Sequence, residues 1–351
     1  MHHARPGIRS SLLLGSFLMA ASPASAMPTG MTSTEVGGVE GEAETEGETV
    51  LEPSAMVSVV SELSGDGAAV DLSQLEAALA FERGWLGAEG VLSVSADGVA
   101  LGFMAAELRI VGPHQAMRDA DVALTLFGGK IDAPIGFDAD QYQDLQRPMI
   151  SAPLLLEATH DEWNDWGAGV RLGVDDLEVT VFGARAYAPA AAEATEVGTD
   201  LATEAEAATA GAWTPGPAFG ARGRYALTNW AAVATSGAAI FDTELTLRAG
   251  LAEADVEVEL AQVKLRAEGL VQLTMDAGPV FGAYVTAQRT FGWFEAAARA
   301  ELVVRGAEVE PRLGVTAGAA VWPEHLLVRA EYDTDLSRLE DRVQLQVVAA
   351  L

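Results

Sequence analysis

The sequence has no cysteine, only two lysines (Lys130 and Lys264) in 351 residues, and no apolar run long enough to cross a bilayer as a helix. The missing cysteine excludes the small disulfide-stapled secreted scaffolds, thiol catalysis and cysteine metal sites. With so little lysine, 21 Lys and Arg face 51 Asp and Glu, and a formal charge of -30 excludes nucleic acid as a partner. Without an apolar helix, a chain that enters a membrane must do so as a closed barrel, because only those two structures satisfy every backbone polar group in lipid. Histidine is scarce as well. His2, His3, His114, His160 and His325 show no metal-ligand or triad spacing, and there is no phosphate loop or nucleophile elbow, so neither an enzyme nor a cofactor is expected. The run His160-Asp161-Glu162 reads as solvated loop rather than as a metal or acid–base cluster.

What is present begins with an export signal. His2, His3, Arg5 and Arg9 precede an apolar run from Leu12 to Ala21 that ends in Ala24-Ser25-Ala26, the pattern of a signal peptide cleaved after Ala26. Residues 27–54 carry Glu35, Glu40, Glu42, Glu44, Glu46, Glu48 and Glu52 with no basic residue, which predicts a disordered acidic leader. The rest, residues 55–351, is assigned to one barrel domain, since 50% of the residues are hydrophobic and that is too many for a disordered acidic chain.

From about residue 55 the apolar residues alternate with polar ones at period two, the signature of strands with two unlike faces. Phe219, Ala221, Gly223, Tyr225 and Leu227 share one face, and Arg222, Arg224 and Thr228 the other. Leu245, Leu247, Ala249 and Leu251 alternate with Thr246, Arg248 and Gly250; Val343, Leu345, Val347 and Ala349 alternate with Arg342, Gln344 and Gln346. Tight connections are expected at Asp175-Asp176, Asn229-Trp230, Glu253-Ala254 and Pro323-Glu324, and long ones near 132–165, 188–218 and 334–340. Every long connection falls at one end if residues 255–275 form a single strand with a bulge near Ala261. The count is then about sixteen strands, with 12 or 14 as alternatives because residues 55–115 are weakly patterned and Val99 to Ile110 reverses parity around Ala105. The fold class is therefore all-β, a transmembrane antiparallel barrel. Trp166, Tyr187, Phe219, Trp230, Phe291, Trp293, Trp322 and Tyr332 fall at or near strand ends, where interfacial aromatic girdles in contact with outer-membrane lipid are expected.

The polar faces define the candidate pore lining: Arg171, Arg222, Arg224, Arg248, Lys264, Arg266, Arg299, Arg312 and Arg329, opposed by Glu257, Glu259, Glu301, Glu310 and Glu331, with Glu178, Glu244 and Glu268 on the same side. Cross-strand ion pairs of this kind stiffen a wet wall and shape its field. A balanced structural lining and a selectivity device fit these residues equally. The 132–165 connection carries Asp138, Asp140, Asp144, Glu157, Asp161 and Glu162 as an acidic external loop, together with Asp132 and Asp165, and 188–218 carries Glu193, Glu196, Asp200, Glu204 and Glu206. Mouths of that charge repel anions.

One stretch goes beyond general barrel grammar: Gly128-Gly129-Lys130-Ile131-Asp132-Ala133-Pro134-Ile135-Gly136-Phe137, then Arg147-Pro148-Met149-Ile150, then Trp166-Gly167-Ala168-Gly169-Val170-Arg171-Leu172. Over about 45 residues it resembles the phosphate-selective porin O and P family. The resemblance implies a sixteen-stranded channel, a homotrimer, and a basic ladder for anions. With only Lys130 and Lys264 and with acidic mouths, the residues themselves point instead to weak cation preference. The expectation is passive diffusion of small ions or solutes through a lumen narrowed by an inward-folded part of 132–165. The alternatives are a non-conducting structural or adhesive barrel and a soluble periplasmic β-protein.

Overall fold

A computed structural model of the chain describes residues 49–64, 67–83, 85–95, 98–110, 122–136, 148–159, 163–185, 214–275, 278–322 and 325–350. The signal peptide, most of the acidic leader and the connection 186–213 lie outside the described residues. The strands are β1 (Val50–Ser64), β2 (Gly67–Arg83), β3 (Leu86–Ser95), β4 (Gly98–Arg109), β5 (Val122–Asp132), β6 (Asn164–Val174), β7 (Leu177–Arg185) and β8 (Pro215–Thr228). They continue as β9 (Ala231–Asp242), β10 (Leu247–Leu260), β11 (Val263–Thr274), β12 (Val280–Phe291), β13 (Phe294–Arg305), β14 (Glu308–Trp322), β15 (Leu326–Asp335) and β16 (Glu340–Ala350). Each pairs antiparallel with its sequence neighbours, and β1 closes on β16 with Met56 opposite Ala350. The barrel is closed at sixteen strands, and the counts of 12 and 14 fall away. Its first strand begins at Val50, inside the segment assigned to the leader.

Period-two patterning explains most of the wall. In β13, Glu295, Ala297, Arg299, Glu301 and Val303 share the inner face, while Ala296, Ala298, Ala300 and Leu302 face out. The outward apolar side chains stay exposed on strand after strand: Leu302, Val315, Leu345 and Val347 are all above two-fifths accessible. A continuous apolar band of this kind suits the lipid-facing side of a membrane barrel.

The two ends differ. At one, the connections are the short turns 175–176, 229–230, 261–262 and 292–293, with the longer 110–121; the other end carries 133–163 and 186–214. Trp85, Trp230, Trp293 and Trp322 stand exposed at the short-turn end, and Trp166, Phe219, Phe281 and Tyr332 at the other, which makes two aromatic belts. The short turns also share a backbone device: the carbonyls of Trp85, Trp230 and Trp293 accept from the N–H groups of Arg109, Glu259 and Ala320 at 2.7–2.8 Å.

Four expectations require correction. Residues 255–275 are not one bulged strand, and Glu253-Ala254 is not a turn: β10 runs through both, and a two-residue turn at Ala261-Gln262 separates it from β11, with Leu260 opposite Val263. Both turn residues have positive φ, 50° and 68°, the geometry of a type I′ hairpin. Gly, Asn or Asp normally marks such a turn, so Ala-Gln conceals it; the parity reversal that suggests a bulge is the hairpin itself. Second, Ala249 and Leu251 face inward, not outward. The register shifts between Leu247 and Ala249, so Arg248 is a bulge that reverses the faces of everything after it. Asp242 holds this bulge by accepting from Glu244 N, Thr246 N and Arg248 Nε at 2.8–2.9 Å. Third, Glu244 lies in that turn and not on a strand face. Fourth, the irregularity expected near Ala105 is a bulge at Gly102, since Val91 pairs with Phe103 and Leu92 with Leu101. Lys130, on the outer face opposite Met104, donates from Nζ to the Leu101 carbonyl beside it at 2.6 Å.

Candidate pore and its inward-folded segment

The described residues between β5 and β6, 133–136 and 148–159, fold into the barrel. Residues 133–136 reach strands β8 and β9 across the lumen side, where Gly136 N donates to Ser236 Oγ at 3.4 Å and the Arg222 guanidinium donates to the Gly136 carbonyl. Gly136 adopts φ 79°, and the carboxylate oxygens of Glu253 and Glu268 lie 3.3 Å from where its Cβ would stand, so a larger residue would be strained twice over.

Residues 148–159 form the second inserted stretch, ending in the one-turn helix α1 (Leu154–Ala158). Its backbone is gripped by charged side chains of the wall. Glu331 accepts from Ile150 N at 2.5 Å and from Ser151 N and Oγ, and Thr316 Oγ1 donates to the same carboxylate at 2.9 Å. Arg299 donates to the carbonyls of Ser151 and Ala152 at 2.9 and 3.1 Å, and Glu301, itself paired with Arg299 at 2.9 Å, accepts from Leu154 N. Backbone groups taken from water must find partners, and here the wall supplies them.

Apolar contacts complete the anchor. Leu155 is fully buried, and a Cβ at Gly282 on β12 would collide with its Cδ1; a Cβ at Gly314 on β14 would stand 2.8 Å from Met149 Cε. These two inward glycines are notches that receive the segment. Ile135, Leu154, Leu155 and Trp163 pack with Phe182, Ile240, Leu251, Leu270, Tyr284 and Val303 of the wall in one cluster. The inner face thus offers apolar side chains beside its charges where the segment lies on it, and a second apolar cluster, Val91, Phe103, Ala105 and Ile131, lies on the inner side of β3–β5.

All nine basic residues singled out from the sequence lie on the inner side of the wall or, for Arg248, at its bulged rim, and the structure divides them into two groups. One group is buried or half-buried and closely paired: Arg222 with Asp255 at 3.3 Å, Lys264 and Arg266 both with Glu257 at 2.9 and 2.7 Å, Arg299 with Glu301, and Arg329 with Glu295 at 2.7 Å. Glu259 stands opposite Lys264 in the register. The others are more open: Arg171 lies 3.9 Å from Glu178, with side chains 42% and 47% exposed, Arg224 stands opposite Glu178, and Arg248 binds Asp242. Glu310 pairs with Arg305 at 3.8 Å.

Glu157 is corrected: it belongs not to an external mouth but to α1 inside the barrel, 3.6 Å from Arg312. Leu154-Leu155-Leu156 immediately before it carries it in. Asp138, Asp140, Asp144, Asp161 and Glu162 lie outside the described residues, as do the acids of 188–213. Sequence reasoning missed Asp242, Asp255, Glu295 and Asp333, the last paired with Arg342 at 2.9 Å; Glu295 and Asp333 stand at alternate inner positions of regular strands and period two could have found them, whereas Asp255 follows the Arg248 bulge that reverses the faces. Among the described residues no three histidine or acidic side chains come together as a metal-holding group.

No known protein family matches the chain, and no curated protein matches it in sequence. Solved structures do. Salmonella typhi OmpF, in a complex with daunomycin, superposes with TM-score 0.59 at 11% identity, covering 87% of this chain and 98% of that one. A mutant of the Rh. blastica porin superposes with TM-score 0.56 at 12% identity over 86% of this chain and 100% of the other. The fold is that of the porins. At such identity the likeness carries the architecture alone, and the phosphate-selective O and P family to which residues 128–172 bear a resemblance is not among the structural neighbours described.

Proposed function

We propose that this protein is an outer-membrane porin through which small hydrophilic ions or solutes diffuse passively, with a preference for cations. The observation that carries the reading is the inserted segment: a closed barrel with a charged inner wall is narrowed from within by residues 133–136 and 148–159, held by Arg222, Arg299, Glu301 and Glu331. The exposed pair Arg171 and Glu178 gives a wetted entrance at the short-turn end, and the excess of acid over base sets the sign of the field. Small size of the permeant follows from the depth to which the inner-wall charges are buried; Arg329 and Glu331 are 2% and 1% exposed. Homotrimer formation, implied by the family resemblance, belongs to this proposal.

The same burial favours a second reading, a barrel shut at rest. Planar bilayer recording separates the two. Discrete conductance steps, with a reversal potential in asymmetric KCl on the cation side, support the porin; steps with an anion-side potential refute the selectivity and revive the phosphate-selective resemblance. Insertion without steps favours the closed barrel.

A further inference from the structure

The acids of the inner wall mostly have a basic partner or a donor: Asp255, Glu257, Glu295, Glu301 and Asp333 have basic partners, and Glu331 has three donors from the inserted segment. On β3 and β4 this pattern breaks. Glu89 is 3% exposed, and both of its carboxylate oxygens lie out of contact with solvent and without a hydrogen-bond donor among the described residues. Glu107, on the inner face of β4 and 7% exposed, is its neighbour: it stands opposite Gly87, two residues before Glu89 on β3.

Charges close by are otherwise engaged. Arg109, two residues along β4, binds Glu82 at 2.7 Å. Phe127 stands opposite Glu107, and Arg171 lies over that ring, 5.8 Å from its centroid. On the other sides the neighbours are small. Ala80 and Ala105 stand opposite Glu89, and a Cβ at Gly87 would come no nearer than 3.9 Å to Glu107. The apolar cluster of Val91, Phe103, Ala105 and Ile131 closes the inner side beyond. Two carboxylates thus stand as neighbours across the β3–β4 ladder beside small residues, and among the described residues Glu89 has no hydrogen-bond partner to balance it.

A carboxylate shut away from water stays ionised only if a positive charge is brought to it, and two adjacent carboxylates need a countercharge of two. Magnesium meets that need with few protein ligands, because it dehydrates reluctantly and is commonly held by one or two carboxylates with water completing its shell. We propose that Glu89 and Glu107 form a divalent-cation site in the barrel wall, of the kind that takes Mg2+ through two carboxylates. The site does not depend on the conducting role proposed above, and it is tested without current.

The test is calorimetric titration of Mg2+ into the full chain, folded in detergent and stripped with a chelator, for the unaltered protein, Glu89→Gln and Glu107→Gln. Heat-modifiable gel mobility establishes that each is a closed barrel. The expected result is a saturable uptake that Glu89→Gln abolishes and Glu107→Gln weakens by about tenfold or more, while weak uptake by the acidic connections persists in all three. Identical isotherms in the three proteins overturn the proposal. So does a Glu89→Gln barrel that unfolds at higher temperature where the unaltered protein shows no saturable uptake, since a proton and not a metal then neutralises the pair. Should Glu89→Gln fail to fold, Glu107→Gln, at the more open residue, decides alone.

Discussion

Glu331 on β15 accepts a hydrogen bond from the backbone N–H of Ile150 at 2.5 Å, across 181 residues of sequence. The same carboxylate serves Ser151 and Thr316, so one side chain ties an inserted segment to two strands. Removing it leaves the backbone N–H groups of Ile150 and Ser151 without this acceptor. Glu331→Ala is expected to destabilise the barrel by about 3–5 kcal/mol in denaturant unfolding, the cost of breaking a buried charged network, and to raise single-channel conductance as the segment loosens. Unchanged conductance in a folded variant would mean that the segment does not narrow the path.

The glycine notches give an independent handle on the same segment. Gly282→Val places a side chain where Leu155 Cδ1 now sits. Overpacking of this kind typically costs about 1–3 kcal/mol, and α1 must shift toward the lumen centre. Recordings should show altered conductance with the charge selectivity preserved, because no charged group is touched.

The hidden hairpin predicts a gain. Gln262 holds φ at 68°, a conformation that costs a residue bearing a Cβ about 1 kcal/mol. Gln262→Gly should therefore stabilise the barrel by up to about 1 kcal/mol, seen as a higher denaturation midpoint with unchanged slope. If residues 255–275 were one continuous bulged strand, glycine there would weaken it instead.

Tryptophan placement is open to spectroscopy. Trp85, Trp230, Trp293 and Trp322 stand at one rim and Trp166 at the other. In vesicles, their fluorescence should be quenched efficiently by lipids labelled near the headgroup and poorly by lipids labelled at the acyl end. The reverse order would contradict the membrane orientation of the barrel.

How far the sequence disclosed all this depends on which rule each residue obeys. Strands such as β13 and β16 alternate without interruption, so their faces and the total of sixteen are legible. Arg248 and Ala261-Gln262 break alternation with residues that carry no turn signature, and each displaces an expected feature: the outward side of Ala249 and Leu251, and the turn expected at Glu253. The anchoring role of Arg299, Glu301 and Glu331 is out of reach for another reason. Period two marks a residue as inward but does not say whether it will meet water or a folded-in segment. A signal for the second is present in Met149-Ile150 and Leu154-Leu155-Leu156, an apolar stretch too rich to remain in solvent within an otherwise acidic connection.

Closure of β1 on β16 ties Met56 to Ala350, so the barrel's final seam joins residues almost the whole described chain apart. Contacts of such separation form late, because the intervening chain must first be ordered. Until β16 arrives, β1 and β15 each present an unpaired edge that lipid cannot satisfy and that another chain can. Assembly is therefore concerted at its last step: a chain truncated before residue 340 leaves no smaller barrel behind, only an open sheet with two adhesive edges.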